Sequence, residues 1–339
     1  MNHSKRISIL GIETSCDETS AAVLINGQEL KSHIISSQIE THQKYGGVVP
    51  EIASREHCVH IGKVVDQALE AANLGFQDLS AIAVTYGPGL VGSLLVGVAG
   101  AKAMAYAAGI PLIAVNHLEG HVYANFLEHQ DIDFPLLALL ASGGHTNLIL
   151  FKHHLDYEVL GRTRDDAAGE AFDKVARTLG LGYPGGPYIQ KAAVIGNPQA
   201  YDFPRAMLEP GSFDFSFSGL KSSVLNTLNT ARMKEEKINI NDLAASFQMA
   251  VVDVLIRKSL KALDQISVKT FALAGGVAAN SVLREALSPA LEERKIRFIY
   301  PSPVFCTDNG AMIAMAGYYH FLAENKASWK LNAVPGLSL

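Results

Sequence analysis

His117 and His121 stand four residues apart in Asn116-His117-Leu118-Glu119-Gly120-His121. Helical positions four apart lie about 40° from one another around the axis, so both imidazoles face one way, one turn apart. That is a two-point clamp for a metal ion. A third protein ligand, by preference a carboxylate, would complete an open site suited to iron or zinc, with positions left for substrate. The same pair is equally an ordinary polar pair on a helix. The segment also imitates the zinc-protease box His-Glu-x-x-His, but here the glutamate is Glu119. It lies about 200° around the helix from His117 and cannot act as the metal's general base, which disfavours proteolysis. Asp308, in Thr307-Asp308-Asn309-Gly310, opens the last helical segment. Aspartate there is ordinarily an N-cap. It nonetheless ends the second half of the chain as the His pair ends the first, which allows a lobe-spanning site of His117, His121 and Asp308.

Three small-residue turns could hold an anion: Ser142-Gly143-Gly144, Gly185-Gly186 and Gly275-Gly276-Val277-Ala278-Ala279-Asn280. Glycine lets backbone N–H groups approach a phosphate, and a helix start adds partial positive charge. The last of them precedes a helix and suits a nucleotide, with Asn280 placed to bond adenine or ribose. Each one alone is also simply a tight turn. Asp165, Asp166, Glu170 and Asp173 form an acidic cluster in which Glu170 and Asp173 could accept hydroxyls, or which is a solvated face. Asp17 and Glu18 would repel a phosphate unless a metal intervened. Phe213 to Lys221 alternates aromatic and small polar residues. It reads either as strand or core packing, or as a base-stacking surface near Lys221.

The elements that must position these groups recur. Apolar runs predict strands at 7–11, 21–25, 30–36, 81–85 and 111–115, with helices at 51–74, 92–108 and 117–129. The second half repeats the order: strands at 136–141, 147–151 and 157–160, then strand 270–274, helix 279–294, strand 296–300 and helix 308–323. The shared landmark is a strand, a small-polar hairpin ending in threonine, and a second strand. Two such halves would place both hairpins at a common cleft. The interruption at 162–265 reads as helical pieces around the turn 182–187, with a solvated loop at 233–241.

The 339 residues suit two domains. A net charge of −5 carries no general basic footprint, so nucleic acid would need a local patch or a partner's surface. Cys16, Cys58 and Cys306 are odd in number and lack a Cys-x-x-Cys pair, which reads as reduced thiols in a cytoplasmic protein. The first apolar stretch meets Glu13 too soon for a signal peptide. The stretch 87–109 carries Lys102 and four internal glycines and reads as a buried helix, with no membrane span.

Six segments in order, Gly11–Thr19, Asn116–His121, Ser142–Thr146, Gly169–Lys174, Phe215–Lys221 and Gly275–Asn280, carry a resemblance. Together they resemble the tRNA N6-threonylcarbamoyladenosine transferase family, TsaD in bacteria, once mislabelled sialoglycoprotein endopeptidases. His145 is similar to the bacterial branch, and Ser222 stands where the family often has threonine. The resemblance implies an α/β, duplicated actin/hexokinase-like bilobal fold with helical insertions in the second lobe. Residues 1–130 would form the first lobe, with 308–339 packing back on it, and residues 131–307 the second, with its insertion at about 162–265. It implies His117, His121 and Asp308 as ligands of iron(II) or zinc. Leu140, Ala141, Ser142, Gly143, Gly144, Asp173, Gly186 and Asn280 would line the substrate site. The implied reaction moves threonylcarbamoyl from threonylcarbamoyl-AMP to N6 of the adenosine next to the anticodon, in tRNAs reading codons that begin with A. ATP or AMP would occupy the same nucleotide site. Implied partners are tRNA, a paralogous subunit forming a heterodimer, and a small ATPase. No catalytic base is assigned. The alternatives are an actin-like ATPase, which would leave the His pair idle, and a nucleotide-binding module without catalysis.

Overall fold

The computed structural model describes residues 6–206 and 211–339, which divide into two compact units, 1–132 with 304–339 and 133–303. The first begins with β1 (Ser8–Glu13), β2 (Glu18–Ile25) and β3 (Glu29–Ser37). It continues with α1 (Ile39–Gln43), α2 (Pro50–Ala72), β4 (Ala81–Gly87), α3 (Val91–Ala108), β5 (Leu112–Asn116) and α4 (His117–Tyr123). The second unit holds β6 (Leu136–Ala141), β7 (Thr146–His153), β8 (Asp156–Arg162), α5 (Ala168–Thr178) and α6 (Gly185–Ala193). It is completed by α7 (Ser218–Met233), α8 (Ile240–Leu263), β9 (Thr270–Ala274), α9 (Ser281–Glu293) and β10 (Arg297–Ile299). A short turn of helix, α10 (Pro303–Cys306), leads to α11 (Gly310–Leu322).

The first sheet runs β3-β2-β1-β4-β5 and the second β8-β7-β6-β9-β10. In each, the first three strands form an antiparallel meander and the last two join parallel to the first strand. The repeated order in the sequence is therefore a repeated topology. Strands β1, β2 and β6 are buried at every position, because helices cover both faces of such a sheet and leave no polar side.

Alternation along β1 divides the first unit's core. Leu10 and Ile12 join Val64, Val65 and Ala68 of α2 and Ala101 and Ala105 of α3 in one apolar cluster. On the other face Gly11 lies directly under α11, where a methyl group would run into the Gly310 carbonyl and the Ala314 amide. Gly317 meets Ala83 and Ile9 in the same manner one helical stretch later. The residues after α11 return over the unit: Ala327 donates to the Leu112 carbonyl at 2.8 Å and Val334 to Tyr86 at 2.8 Å. Asn116 then donates its side-chain amide to the Ser338 carbonyl at 3.2 Å.

Several elements differ from the sequence expectation for local reasons. The helix expected at 117–129 stops at Tyr123 and tightens into a 3-10 turn, Ala124–Leu127. The expected turn 182–187 opens a helix, because the Gly185 N–H is taken by the Asp173 carboxylate at 2.6 Å and Pro187 falls where no intrahelical N–H is needed. Helix α3, expected to be buried, is only a third buried. It is long and apolar enough to cross a membrane by length and composition. Its glycine face nevertheless lies against its neighbours, Gly92 on Ser54, Gly97 on Thr14 and Gly100 on Ile61. Its outer face leaves Val91, Leu95 and Tyr106 exposed.

Since Gly11 has no room for a Cβ, Gly11→Ala should destabilise the fold by roughly 2 kcal/mol or more, the range of overpacked cores. Denaturant unfolding checks this; a loss below about 0.5 kcal/mol would show that α11 shifts freely.

Candidate metal centre and nucleotide cradle

Strand β5 ends at Asn116, whose side chain accepts from the Leu118 N–H at 2.8 Å and caps α4. That cap starts the helix at His117, so the two histidines follow on one face. Their ring centroids are 4.6 Å apart at an interplanar angle of 75°. Asp308 comes from the turn before α11. Its Oδ1 is 3.2 Å from His121 Nε2 and 3.5 Å from His117 Nε2. Ligand atoms of all three lie within 4.8 Å of one another, the one such trio of metal-binding side chains among the described residues.

The alternative reading of Asp308, as the cap of the last helix, does not hold. Asn309 takes that role, accepting from Met312 N–H at 2.9 Å and donating to the Thr307 carbonyl at 2.7 Å, so the Asp308 carboxylate turns toward the histidines. Nor does the trio span two lobes, since residues 304–339 belong with 1–132. Glu119 points away, as the helical angle requires, and its Oε2 sits 2.9 Å from His320 Nε2.

His121 is 1% exposed; its Nδ1 makes no hydrogen bond, and its Nε2 has the Asp308 carboxylate 3.2 Å away, which pulls against the effect of burial. A buried imidazole left so is costly unless an ion takes its lone pair, and two imidazoles with a carboxylate are the donor set of an open iron or zinc site. The residues fit such an ion.

The charges around the trio are strongly coupled. Burial pulls His117 down, but the Asp308 and Glu13 carboxylates overcome it and hold the ring up at about 9. Burial lowers His121. Burial raises the Glu13 carboxyl, yet the neighbouring His117 charge outweighs that and lowers it. Glu18, which accepts from Ser37 Oγ at 2.8 Å, is pushed up to about 8 by burial, with Asp17 and Asp308 adding to it. Burial and Asp17 also raise the Cys16 thiol, and all three cysteines are free.

In the second unit, the end of β6 carries Leu140 and Ala141 into the turn Ser142-Gly143-Gly144. Gly169 at the start of α5 donates to the Ser142 carbonyl at 3.1 Å. A side chain at Gly275 would strike the Ala141 carbonyl, and one at Gly185 the backbone of Asp173. The strand end, the N-termini of α5 and α6 and the turn after β9 are thus packed backbone on backbone. By contrast, methyl groups at Gly143, Gly144, Gly186 and Gly276 would meet nothing. Leu140–Gly144, Asp173 and Gly186 therefore belong to one connected set. Asn280 is held differently: its amide donates to Gln248 Oε1 at 2.9 Å while its Oδ1 caps α9.

Asp165 of the acidic cluster is structural, accepting from the Phe217 and Ser218 N–H groups at the start of α7. Glu170 and Asp166 pair with Lys174 at 2.9 and 2.6 Å. The base-stacking reading of Phe213–Lys221 fails for Phe215 and Phe217, which are 0% and 1% exposed and stack on each other in the core. Sequence reasoning did not single out Glu13, which sits 3.1 Å from His117; it falls in the polar stretch just after the first apolar run, and no local signal marks it. A cavity of about 360 Å³ lies elsewhere, between α7 and the loop holding Lys237.

Two units, each with the same five-stranded mixed sheet, define an α/β protein of the actin/hexokinase-like class. Solved structures of that class align along the chain. Full-length HypF in the phosphate- and nucleotide-bound form matches with TM-score 0.61 and 14% identity, over 94% of this chain and 47% of that one. The activator of 2-hydroxyisocaproyl-CoA dehydratase from Clostridium difficile matches with TM-score 0.55 and 13% identity, over 94% and 97%. The chain belongs to the tRNA N6-adenosine threonylcarbamoyltransferase (TsaD) family, whose model matches residues 29–315. It is 72% identical over 337 residues to the tRNA N6-adenosine threonylcarbamoyltransferase of Desulfitobacterium hafniense (strain Y51), covering 99% of both chains. It is 56% identical over 333 residues to that of Clostridioides difficile (strain 630), covering 98% of both.

The raised groups set a pH dependence. Glu18 rises from 4.5 to about 8 and His117 from 6.5 to about 9. Both then bind protons more tightly folded than unfolded, so their stabilisation is full at low pH and is lost as pH rises toward those values. The thermal midpoint of the chelator-treated protein should fall between pH 6.5 and about 8, and fall less steeply in Glu18→Gln. Equal slopes would show that Glu18 is not protonated in the folded protein.

Proposed function

We propose that this protein transfers the threonylcarbamoyl group from threonylcarbamoyl-AMP to N6 of the adenosine next to the anticodon in tRNAs reading codons that begin with A, releasing AMP. The observation that carries the reading is the convergence of His117, His121 and Asp308, with the buried His121 ring facing the Asp308 carboxylate. It occurs in a chain 72% identical, end to end, to a transferase of that name. His117 and His121 through Nε2, with an Asp308 oxygen, would hold iron(II) or zinc. Such an ion supplies Lewis acidity toward a carbonyl oxygen and an open position for the threonyl end.

The chain's own residues do the rest. The N–H groups of Gly143 and Gly144 would bind the AMP phosphate, because no Cβ bars a ligand there, while the Ser142 N–H is spent on the His145 carbonyl at 2.8 Å. Leu140 and Ala141 flank that turn. Asp173 sits against the α6 N-terminus, where an anion is already in place. A phosphate would be repelled there, so the carboxylate would accept ribose hydroxyls instead, with Gly186 leaving room beside it. Asn280, locked by Gln248, would bound the base. The adenosine amine attacks the carbamoyl carbon, the phosphoric–carbamic anhydride bond breaks with AMP as the leaving group, and the amine's displaced proton passes to solvent. AMP is a weak enough base to leave without a general acid.

The partners follow the same reading. A net charge of −5 is a poor field for tRNA by itself, so a partner surface would share the polyanion. The exposed apolar face of α2 and α3, with Val59, Val91, Leu95 and Tyr106, would receive a paralogous subunit in a heterodimer. A small ATPase would complete the assembly, which would work in the cytoplasm.

A reconstituted assay tests the activity. Label from threonylcarbamoyl-AMP should enter tRNA carrying the target adenosine and no tRNA lacking it, in the presence of the partner subunits. His121→Ala should lose both the metal and transfer, by about a hundredfold or more in rate. Steady ATP turnover without tRNA, unaffected by that substitution, would replace the transferase with the ATPase reading.

Gly186→Leu tests the cradle separately. A Cβ added at this position meets nothing within 4 Å, so stability should stay within about 0.5 kcal/mol. AMP affinity should fall by about tenfold, measured by calorimetry. Unchanged affinity would remove Gly186 from the nucleotide site.

A further inference from the structure

Glu13 is the last residue of β1 and 0% exposed. Its two oxygens are fully directed by neighbours. Oε1 accepts from the Ser15 N–H. Oε2 accepts from Thr85 Oγ on β4 at 2.6 Å and lies 3.1 Å from His117 Nδ1. Ser15 Oγ is also 3.1 Å from the same nitrogen. The two neighbours of Nδ1 differ in what they demand. A hydroxyl donates or accepts and tolerates either imidazole tautomer. A carboxylate that is already accepting at both oxygens can only accept, so it requires a proton on Nδ1. The ring then has one lone pair left, on Nε2, the nitrogen that faces Asp308.

We propose that Glu13 is a positioning residue for metal binding. Its carboxylate holds His117 with the proton on Nδ1 and so presents Nε2 to the ion. The inference rests on the metal reading above. Glu13 is not itself a ligand, because His117 stands between it and the trio's centre: Glu13 contacts Nδ1 and Asp308 contacts Nε2 of one ring. Thr85 and the Ser15 amide, drawn from two different segments, fix the carboxylate against rotation. A carboxylate behind a ligating histidine both orients the ring and increases its donor strength, and its loss typically costs ten- to a hundredfold in metal affinity. Glu119 is the natural control. It is a buried glutamate on α4 itself, but it points to His320.

Zinc affinity, measured by competition with a chelating dye, tests the idea on the full chain. Glu13→Gln keeps the shape and removes the charge, and should weaken Zn²⁺ binding by about tenfold or more. Glu119→Gln should leave it within about twofold. Equal losses in both variants, or none in Glu13→Gln, overturn the inference while the metal site stands. A wild-type chain that binds no Zn²⁺ overturns the metal reading, and the inference with it. Should Glu13→Gln fail to fold, nitrogen-15 imidazole spectra of the zinc-loaded wild-type protein decide. His117 should show a protonated, hydrogen-bonded Nδ1 and a metal-shifted Nε2. A metal-bound Nδ1 overturns the inference.

Discussion

The first unit depends on how closely α11 approaches β1. A helix laid on a sheet normally stands off by the thickness of two side-chain layers, but at Gly11 one layer is missing and the Gly310 carbonyl meets the strand backbone. Gly310 is glycine for the reciprocal reason, since a side chain there would strike Ala21. Its amide is tied to Ser20 Oγ at 2.8 Å. The residue two before this contact is Asp308, and the strand beside it carries Glu13. One backbone-to-backbone crossing therefore fixes the candidate ligand Asp308 from the end of the chain and the carboxylate Glu13 from its beginning, around histidines supplied from the middle. The His pair can be placed by helix geometry alone; the third ligand cannot. It needs the fold.

That division explains what the sequence made legible. The duplicated order of strands and helices was visible, because buried strands of this kind are apolar throughout and their hairpins are small and polar. It corresponds to two sheets of identical topology. The outward direction of Glu119 was also visible, since it requires only the helical angle. The role of Asp308 was ambiguous because aspartate before a helix is nearly always read as its cap. What frees it is the next residue: asparagine caps as well as aspartate, and Asn309 does so on both sides of the junction. Glu13 was illegible for a different reason. Nothing in the local pattern distinguishes a carboxylate that ends a strand at a buried histidine from one that ends it in solvent, and the partner is far away in sequence.

The two units solve a common problem with different chemistry. In each, the functional groups sit where strands end and helices begin. At such ends backbone donors are unspent and the chain can turn sharply. The first unit fills that position with charged and imidazole side chains: Glu13, His117, His121 and Asp308. The second fills it with absence, four glycines whose missing side chains leave space while Gly169, Gly185 and Gly275 are spent on bringing backbones together. The glycines of the second unit are thus of two kinds. Those in contact bring the backbones together, and those facing empty space leave room beside them.

The distribution of negative charge sorts the ligand's parts in the proposed reaction. A carboxylate on a helix N-terminus neutralises the partial positive charge that would otherwise draw a phosphate. Asp173 does this to α6, and Asp165 does it to α7. The turn after β6, by contrast, presents its backbone with no carboxylate bonded to it among the contacts of Ser142 and Gly169. A nucleotide entering this unit finds one place that favours its phosphate and another that favours its hydroxyls, so its orientation is set before any base contact forms. Asn280 then contributes little to orientation energy. Its side chain is already engaged on both ends, by Gln248 and by the start of α9, and it serves best as a fixed wall.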